Sequence, residues 1–391
     1  MILDHTTLRD LARMTDEMGV LSVYATADPR DRSSAPAWRL QVNRAIAELR
    51  SEVNDIEDRR RRFAQLERLE AIEPELESML ANGEPGMGRA LFAPVSGSEI
   101  HRLSVQADLG ARAVLGQQPY LTPLAEALTL GAPAGVVALS HSTVRILDVR
   151  FGMGEEVRTI PVEVESEDWR AMRGPAGGHP GEFARASTQG DLFDRRLEEH
   201  VHRYLASIRP QVSAIADEYG WDTIVVTGDA QLVETIRGTL STTKRTVVLL
   251  DRVVESKSPA EIAALARPEI ETARLERYRE LLRRAREAAL SGGPGSVGLS
   301  DTLGAWREGR VEHLFLHGAR RLSGHCTRDG RCFPSDERPP GEPQESLIPE
   351  PDLAERLIRE GLTSGVRVTV LPSRVPDLLA DDGDMAAILR W

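Results

Sequence analysis

The spacing of apolar residues changes repeatedly along the chain, and each change marks an element. Apolar positions spaced three and four apart over Thr6 to Met18 predict a short amphipathic helix stopped by Gly19. VLSVYAT (Val20 to Thr26) is rich in β-branched and apolar residues, which predicts a buried strand. Two longer helices are expected at Trp38 to Asp55 and Arg59 to Leu80, the second placing Phe63, Leu66, Leu69 and Ile72 on one face. RALFAPV, EIHRLSV and ARAVLG predict short strands, and Thr122-Pro123 starts a further helix, LTPLAEAL. A boundary falls at Ala132 to Ala134.

The second segment opens with two strands, GVVALS and VRILDV, joined at His141-Ser142-Thr143 as a hairpin. EVRTIPVEV predicts a third strand and leads into an irregular Gly- and Pro-rich stretch at 168–190, DWRAMRGPAGGHPGEFARASTQG. A stretch of that length without periodicity inside a compact domain is uncommon and points to function. A long helix from Asp191 to Tyr219 follows, with Leu192, Leu197, Val201, Tyr204, Leu205 and Ile208 as its apolar face. TIVVTG and RTVVLL then predict strands flanking the helix DAQLVETIRGTL.

Ser258-Pro259-Ala260-Glu261 combines a capping box with proline at the first helical position, so a helix starts there. Pro268 is expected to kink or restart it, and GGPGSVG (Gly292 to Gly298) reads as a hinge. The third segment predicts a helix at Ser300 to Gly309, a strand VEHLFL, a hairpin GHCTRDGRCF, a Pro-rich polar loop, a helix DLAERLIREGLTS and a strand RVTVL, closing on DDGDMAAILRW. The fold class expected is α/β, with three domains of mixed sheets flanked by helices: 1–133, 134–252 with the Gly-rich loop, and 253–391 with the helical connector.

Composition narrows the function. A formal charge of -12 over 391 residues argues against a duplex-coating nucleic-acid binder, so DNA is not expected as a partner. Contact with RNA through local arginines remains compatible with it. The first nineteen residues are charged throughout and no run approaches a membrane span, so a cytoplasmic protein without membrane association is expected. Phosphate-binding loops, dinucleotide fingerprints, nucleophile elbows and HExxH are missing from the sequence, and no cofactor is expected. Cys326 and Cys332, spaced by five residues without a second pair, do not fit a zinc ribbon, and no metal site is expected. The Asp329-Gly330 turn between them predicts facing strands, with the cysteines either adjacent reduced thiols or a redox-sensitive pair. Arg59 to Arg62 and Arg320-Arg321 read as solvated charge or phosphate contacts. His200 and His202, two residues apart, do not share a helix face and read as structural.

The hairpin, the glycine-bearing loop, the long helix and the strand ending in glycine occur in one order, GPAGGHPGEFARASTQGDLFDRRLEEHVHRYLASI followed by TIVVTG. This order resembles the middle domain of the archaeal and eukaryotic peptide-release-factor and Pelota superfamily. Gly177 and Gly178 match the glycines of its Gly-Gly-Gln motif, and Phe183 and Arg185 match the Phe-(Ala/Ser)-Arg cluster after the loop. GRVEHLFL and MAAILRW resemble the C-terminal domain of bacterial members. The resemblance covers about two thirds of the chain, and the first segment matches only in outline.

The resemblance implies a ribosome-directed factor that docks in the A site, against rRNA, with the loop toward the peptidyl-transferase centre. It implies an RNA-binding loop of Arg173, Gly177, Gly178, His179, Phe183 and Arg185, with Arg170 beside it, and a C-terminal domain that recruits a translational GTPase such as elongation factor Tu. His179 stands where the family has the glutamine that positions the hydrolytic water, and no Asn-Ile-Lys-Ser codon-reading motif occurs. Histidine is bulkier and ionisable, and Pro180 removes a backbone donor after the tip. A non-hydrolytic role in ribosome hibernation or rescue under stress is therefore the first expectation. A peptidyl-tRNA hydrolase with His179 as its catalytic residue is the second, and a stress-related binding protein that does not meet the ribosome the third.

Overall fold

The computed structural model describes residues 3–28, 33, 36–81, 83–140, 143–161, 207–228, 233, 245–252, 254–318, 320–337, 343, 346–372 and 378–391. The fold is mixed α/β, with four sheets among the described residues. The chain divides into two compact units, Ala132–Glu276 and a second made of Met1–Gly131 with Arg277–Trp391.

In the two-part unit, the N-terminal sheet has the order β3-β2-β1-β4, all antiparallel: β1 (Val20–Thr26), β2 (Gly88–Pro94), β3 (His101–Val105) and β4 (Arg112–Gly116). Strand β1 is central, so nearly all of it is buried, as its wealth of β-branched and apolar residues requires. Leu21, Val23 and Ala25 face α2 (Ala37–Asn54), α3 (Arg59–Ala71) and α4 (Glu73–Met79), packing on Val42, Leu49, Leu69, Ile72 and Met79.

Three expectations change here. Helix α1 spans His5–Arg13 and stops short of Met18, because Met14 is extended and Asp16 turns the chain by accepting from the Met18 and Ser96 N–H groups at 2.9 and 2.6 Å. The helix expected at Arg59 to Leu80 is two, broken at Ile72, with Pro74 opening the second where a missing N–H costs nothing. Phe63 is 69% exposed, while Leu69 and Ile72 are buried. Nine residues at about 100° each place Phe63 opposite Ile72, so the four do not share a face.

Helix α5 (Thr122–Gly131) closes the N-terminal part. The C-terminal sheet, β10-β16-β11-β15, contains β10 (Gly295–Val297), β11 (Val311–His317), β15 (Arg367–Leu371) and β16 (Met385–Leu389). The stretch expected as a hinge therefore holds a strand, β10, paired antiparallel to β16. Its Gly295 is needed for close approach, since a Cβ there would lie 2.2 Å from the Ala285 carbonyl oxygen. Between α8 (Leu299–Arg307) and α9 (Leu353–Ser364) lies a small sheet of β12 (Gly324–Cys326), β13 (Cys332–Pro334) and β14 (Ile348–Glu350). Cys326 and Cys332 face each other across the predicted hairpin and form a disulfide, which replaces the reduced-thiol alternative.

A buried carboxylate joins distant parts of this unit. Glu355 in α9 accepts from Leu121 N at 2.7 Å, from Thr122 N at 2.9 Å and from Thr122 Oγ1 at 2.7 Å. It thereby satisfies the free donors at the start of α5 from 233 residues away. Burial pushes its carboxyl up, and the three donors pull it partly back.

The Ala132–Glu276 unit is a five-stranded sheet of order β7-β6-β5-β8-β9: β5 (Ala134–Leu139), β6 (Thr143–Arg150), β7 (Met153–Pro161), β8 (Thr223–Gly228) and β9 (Thr246–Leu250). The first three form an antiparallel meander and β8 and β9 run parallel to β5. Helix α6, described at 207–218, covers one face through Ile208, Val212 and Ile215. The other face packs on Ile262, Ala263, Ala266 and Ile270 of α7 (Pro259–Leu290).

The capping box forms as expected, with Ser258 N donating to Glu261 Oε2 at 2.9 Å and Glu261 N to Ser258 Oγ at 3.4 Å. Helix α7 continues through Pro268 instead of restarting. Pro268 and Ala264, whose carbonyl loses its donor, are exposed to water, while the opposite face stays buried. The helix expected over DAQLVETIRGTL falls almost wholly outside the described residues, as does Asp191 to Ala206 of the long helix.

Candidate functional site

Strand directions in the middle sheet create one working rim. Strands β5, β8 and β9 are mutually parallel, and β7, two antiparallel steps from β5, points the same way. Leu139, Pro161, Gly228 and Leu250 thus end at one edge. Helix α6 leads into β8 from the opposite end, so its start returns to this same edge. The two attachment points of segment 162–206 are therefore held side by side by the sheet. Open sheets place ligand-facing loops beyond the carboxyl ends of parallel strands for this topological reason.

The described rim residues are closely packed and hydrogen-bonded. Gly228 has φ 137°, and a Cβ there would lie 2.1 Å from the Leu139 carbonyl oxygen. Thr227, fully buried, donates its hydroxyl to the Arg252 carbonyl at 2.6 Å. On the meander side, Arg145 pairs with Glu156 at 2.6 Å and donates to the Lys257 carbonyl at 2.8 Å. The Thr159 hydroxyl bonded to Glu156, together with Arg145, holds that carboxyl below its ordinary range. Arg158 reaches Gln211 on α6 at 3.4 Å.

The opposite end is locked separately. Trp221 lies directly on Gly135, where a Cβ would come within 2.2 Å of its ring, and its indole donates to buried Asp148 at 2.5 Å. Arg274, 2% exposed, donates to Asp222 at 2.8 Å and to the Ala132 and Pro133 carbonyls at 2.8 and 3.0 Å. A buried guanidinium is tolerated only with partners of this number and quality.

Arg173, Gly177, Gly178, His179, Phe183 and Arg185 lie outside the described residues, as do Arg170, His200 and His202. Among the described rim residues the polar groups are hydroxyls and an arginine–glutamate pair, without a histidine or cysteine to serve as base or nucleophile. What this described part offers chemically is a fixed anchor for the segment between Pro161 and residue 207. Sequence reasoning missed Arg274 and Trp221 as the locks of that anchor. Arg274 sits within a helix rich in arginine, so only its burial distinguishes it.

Residues 133–262, which include this whole sheet and both attachment points, match the family described as bacterial archaeo-eukaryotic release factor family 5. This middle part of the chain is similar to the bacterial archaeo-eukaryotic release factors. Among solved structures, the chain is 16% identical to the archaeal translation termination factor aRF1, covering 100% of this chain and 99% of that one with a TM-score of 0.25. A ribosome-bound archaeal Pelota, described together with ABCE1, is 12% identical over 100% and 95%, with a TM-score of 0.40. Dom34 of S. cerevisiae, described as a translation termination-like factor in RNA quality control that interacts with Hbs1, is 10% identical over 72% and 74%, with a TM-score of 0.39. Overlaps at these scores are too loose to carry structural detail across. Comparison with curated proteins gives no match. Among the described residues, no helix is long and apolar enough to cross a membrane.

Proposed function

We propose that this protein is a ribosome-associated translation factor that occupies the A site without hydrolysing peptidyl-tRNA. The observation that carries the reading is the family match over 133–262, which spans the sheet rim and the Gly177-Gly178-His179 sequence attached to it. In this reading the domains are 1–133, 134–252 and 253–391. The Gly-Gly-His tip is directed to the peptidyl-transferase centre, and Arg173 and Arg185 neutralise rRNA phosphates beside it. Paired glycines let backbone approach RNA closely. His179 replaces the glutamine, so water positioning is lost and occupancy alone remains, as hibernation or rescue requires. The C-terminal domain is the face for an escorting translational GTPase of the elongation factor Tu type. Such a factor works in the cytoplasm.

The test is co-sedimentation of the full chain with 70S ribosomes, comparing wild type with Arg173→Gln/Arg185→Gln and a variant carrying Ala at 177–179. Weakened pelleting of both variants is expected, and undiminished pelleting of both would overturn the reading. A parallel release assay on ribosome-bound peptidyl-tRNA separates the hydrolytic alternative. The wild type and His179→Ala are expected to be equally inactive, whereas His179-dependent release would make His179 catalytic.

A further inference from the structure

The two-part unit contains a cleft that the translation reading does not use. Its wider part is a cavity of about 370 Å³ lined by Asp108, Arg112, Thr122, Glu126, Gly318 and Pro372 among others. A narrow recess of about 40 Å³ continues from it past Arg112, where Tyr120, His317, Arg320, Arg321 and Asp352 converge. The volume of the wider part is at the lower end of what small-molecule sites occupy.

Charge is distributed unevenly along this cleft. Arg320 is engaged by Asp384 at 3.2 Å. Arg112 and Arg321 both act electrostatically on Asp352, the carboxylate that lines the recess with them. Arg112 is partly buried and is fixed in place by Tyr120, which accepts from its Nη1 at 2.5 Å and lies under the guanidinium at 5.0 Å. Three guanidiniums, Arg112, Arg320 and Arg321, line a recess that holds one carboxylate, Asp352, and an anion would offset the excess positive charge. Asp352, the one carboxylate in the recess, spends Oδ1 on the Glu355 N–H at the start of α9, at 3.1 Å.

The wide end is of opposite character. Asp108 accepts from the Thr26 hydroxyl at 2.8 Å and the Gly110 N–H at 2.9 Å through a single oxygen, Oδ1. Glu126 lies across the cavity, packed so closely on Gly318 that a Cβ there would overlap its carboxylate. Carboxylates in this position accept hydrogen bonds from hydroxyl donors. The lining presents no exposed aromatic face for stacking a base.

We propose that this cleft binds the phosphate monoester of a small polyhydroxyl compound, with phosphate between Arg112 and Arg321 and sugar hydroxyls on Asp108 and Glu126. Guanidinium forks match phosphate oxygens in charge and geometry, and vicinal hydroxyls match the carboxylates. The phosphosugar is either free or the ribose phosphate of a mononucleotide.

Calorimetric titration of the full chain with ribose 5-phosphate, AMP, ribose and inorganic phosphate tests this. Ribose 5-phosphate is expected to bind about tenfold or more tighter than either ribose or phosphate alone. Arg321→Gln, at an exposed position, is expected to weaken it about tenfold without moving the unfolding midpoint. Glu126→Gln is expected to weaken the sugar phosphate and leave inorganic phosphate unchanged. AMP binding as well as ribose 5-phosphate identifies the nucleotide source, and AMP excluded identifies the free sugar phosphate; both support the site. Absence of binding by ribose 5-phosphate and AMP at millimolar concentration overturns the proposal, and so does affinity indifferent to Arg321→Gln.

Discussion

His313 makes the C-terminal part of the chain acid-sensitive by an amount that can be worked out. Its ring lies in β11 at 3% exposure, stacked on Phe315 at 4.1 Å, with Nε2 2.8 Å from Thr369 Oγ1 and Nδ1 buried without a partner. Burial first, then the nearby charges of Arg367 and Arg277, lower its pKa from 6.5 to about 3. The unfolded chain therefore binds a proton that the folded chain refuses, so stability is complete above about pH 6.5 and is lost as pH falls toward about 3. One such group removes about 2 kcal/mol at about pH 5 and about 3 kcal/mol at about pH 4. His313→Gln keeps a donor and acceptor near Thr369 but cannot titrate.

The assay is urea unfolding of wild type and His313→Gln at about pH 7.5 and about pH 5, with hydrogen exchange of peptides covering β11 locating the loss. Carboxylates and the other histidines contribute to both proteins and cancel in the difference between the two pH effects. The wild type is expected to lose about 2 kcal/mol more than the variant on acidification. Equal losses would refute the reasoning, since they would mean the imidazole accepts its proton in the folded state as readily as in water.

Glu355→Ala leaves the Leu121 and Thr122 N–H groups buried without acceptors, and a loss of about 2 to 4 kcal/mol is expected in urea unfolding, with Glu355→Gln intermediate. Arg274→Met removes the guanidinium while retaining its stem and takes a donor from Asp222 and from two carbonyls; a loss of about 3 kcal/mol, read as faster hydrogen exchange in β5 and β8, checks it. Gly228→Ala forces a methyl within 2.1 Å of the Leu139 carbonyl oxygen, so the middle sheet is expected to lose about 2 kcal/mol or more and ribosome pelleting to weaken with it. Reduction of Cys326–Cys332, or Cys326→Ala with Cys332→Ala, opens a small loop and is expected to cost about 2 kcal/mol, measured as a lowered unfolding midpoint.

The elements that were legible in the sequence are those whose signal is local. A strand buried on both faces, such as β1 or β8, leaves a run rich in β-branched and apolar residues, and Ser258-Pro259-Ala260-Glu261 states a helix start within four residues. The cysteine-bearing hairpin was legible from its Asp-Gly turn. What escaped is decided by partners far along the chain. Asp352-Leu353-Ala354-Glu355 has capping-box spacing, yet Glu355 reaches across to α5 instead of back to its own helix start. Gly295 looks like one more flexible glycine until the Ala285 carbonyl is found where its side chain would be. Arg112 carries no sequence mark, because its interest lies in the distant arginines, Arg320 and Arg321, with which it lines one recess.

The same distinction bears on the functional reading. The glycine-paired stretch is proposed as a tip from local residues and their order, and the family match covers that stretch together with the middle sheet. A segment of 45 residues, 162–206, begins and ends at one edge of a sheet whose other end is pinned by Trp221 and Arg274. The segment joins the chain at the end of the edge strand β7 and at α6, which pack against the rest of the sheet through β6 and through Ile208, Val212 and Ile215. A factor that works by occupancy needs that packing more than it needs a catalytic group, since its effect depends on how long the docked domain resists displacement. Substitutions at Gly228 or Arg274 should therefore shorten ribosome residence even though neither residue belongs to the segment that the proposal directs to RNA.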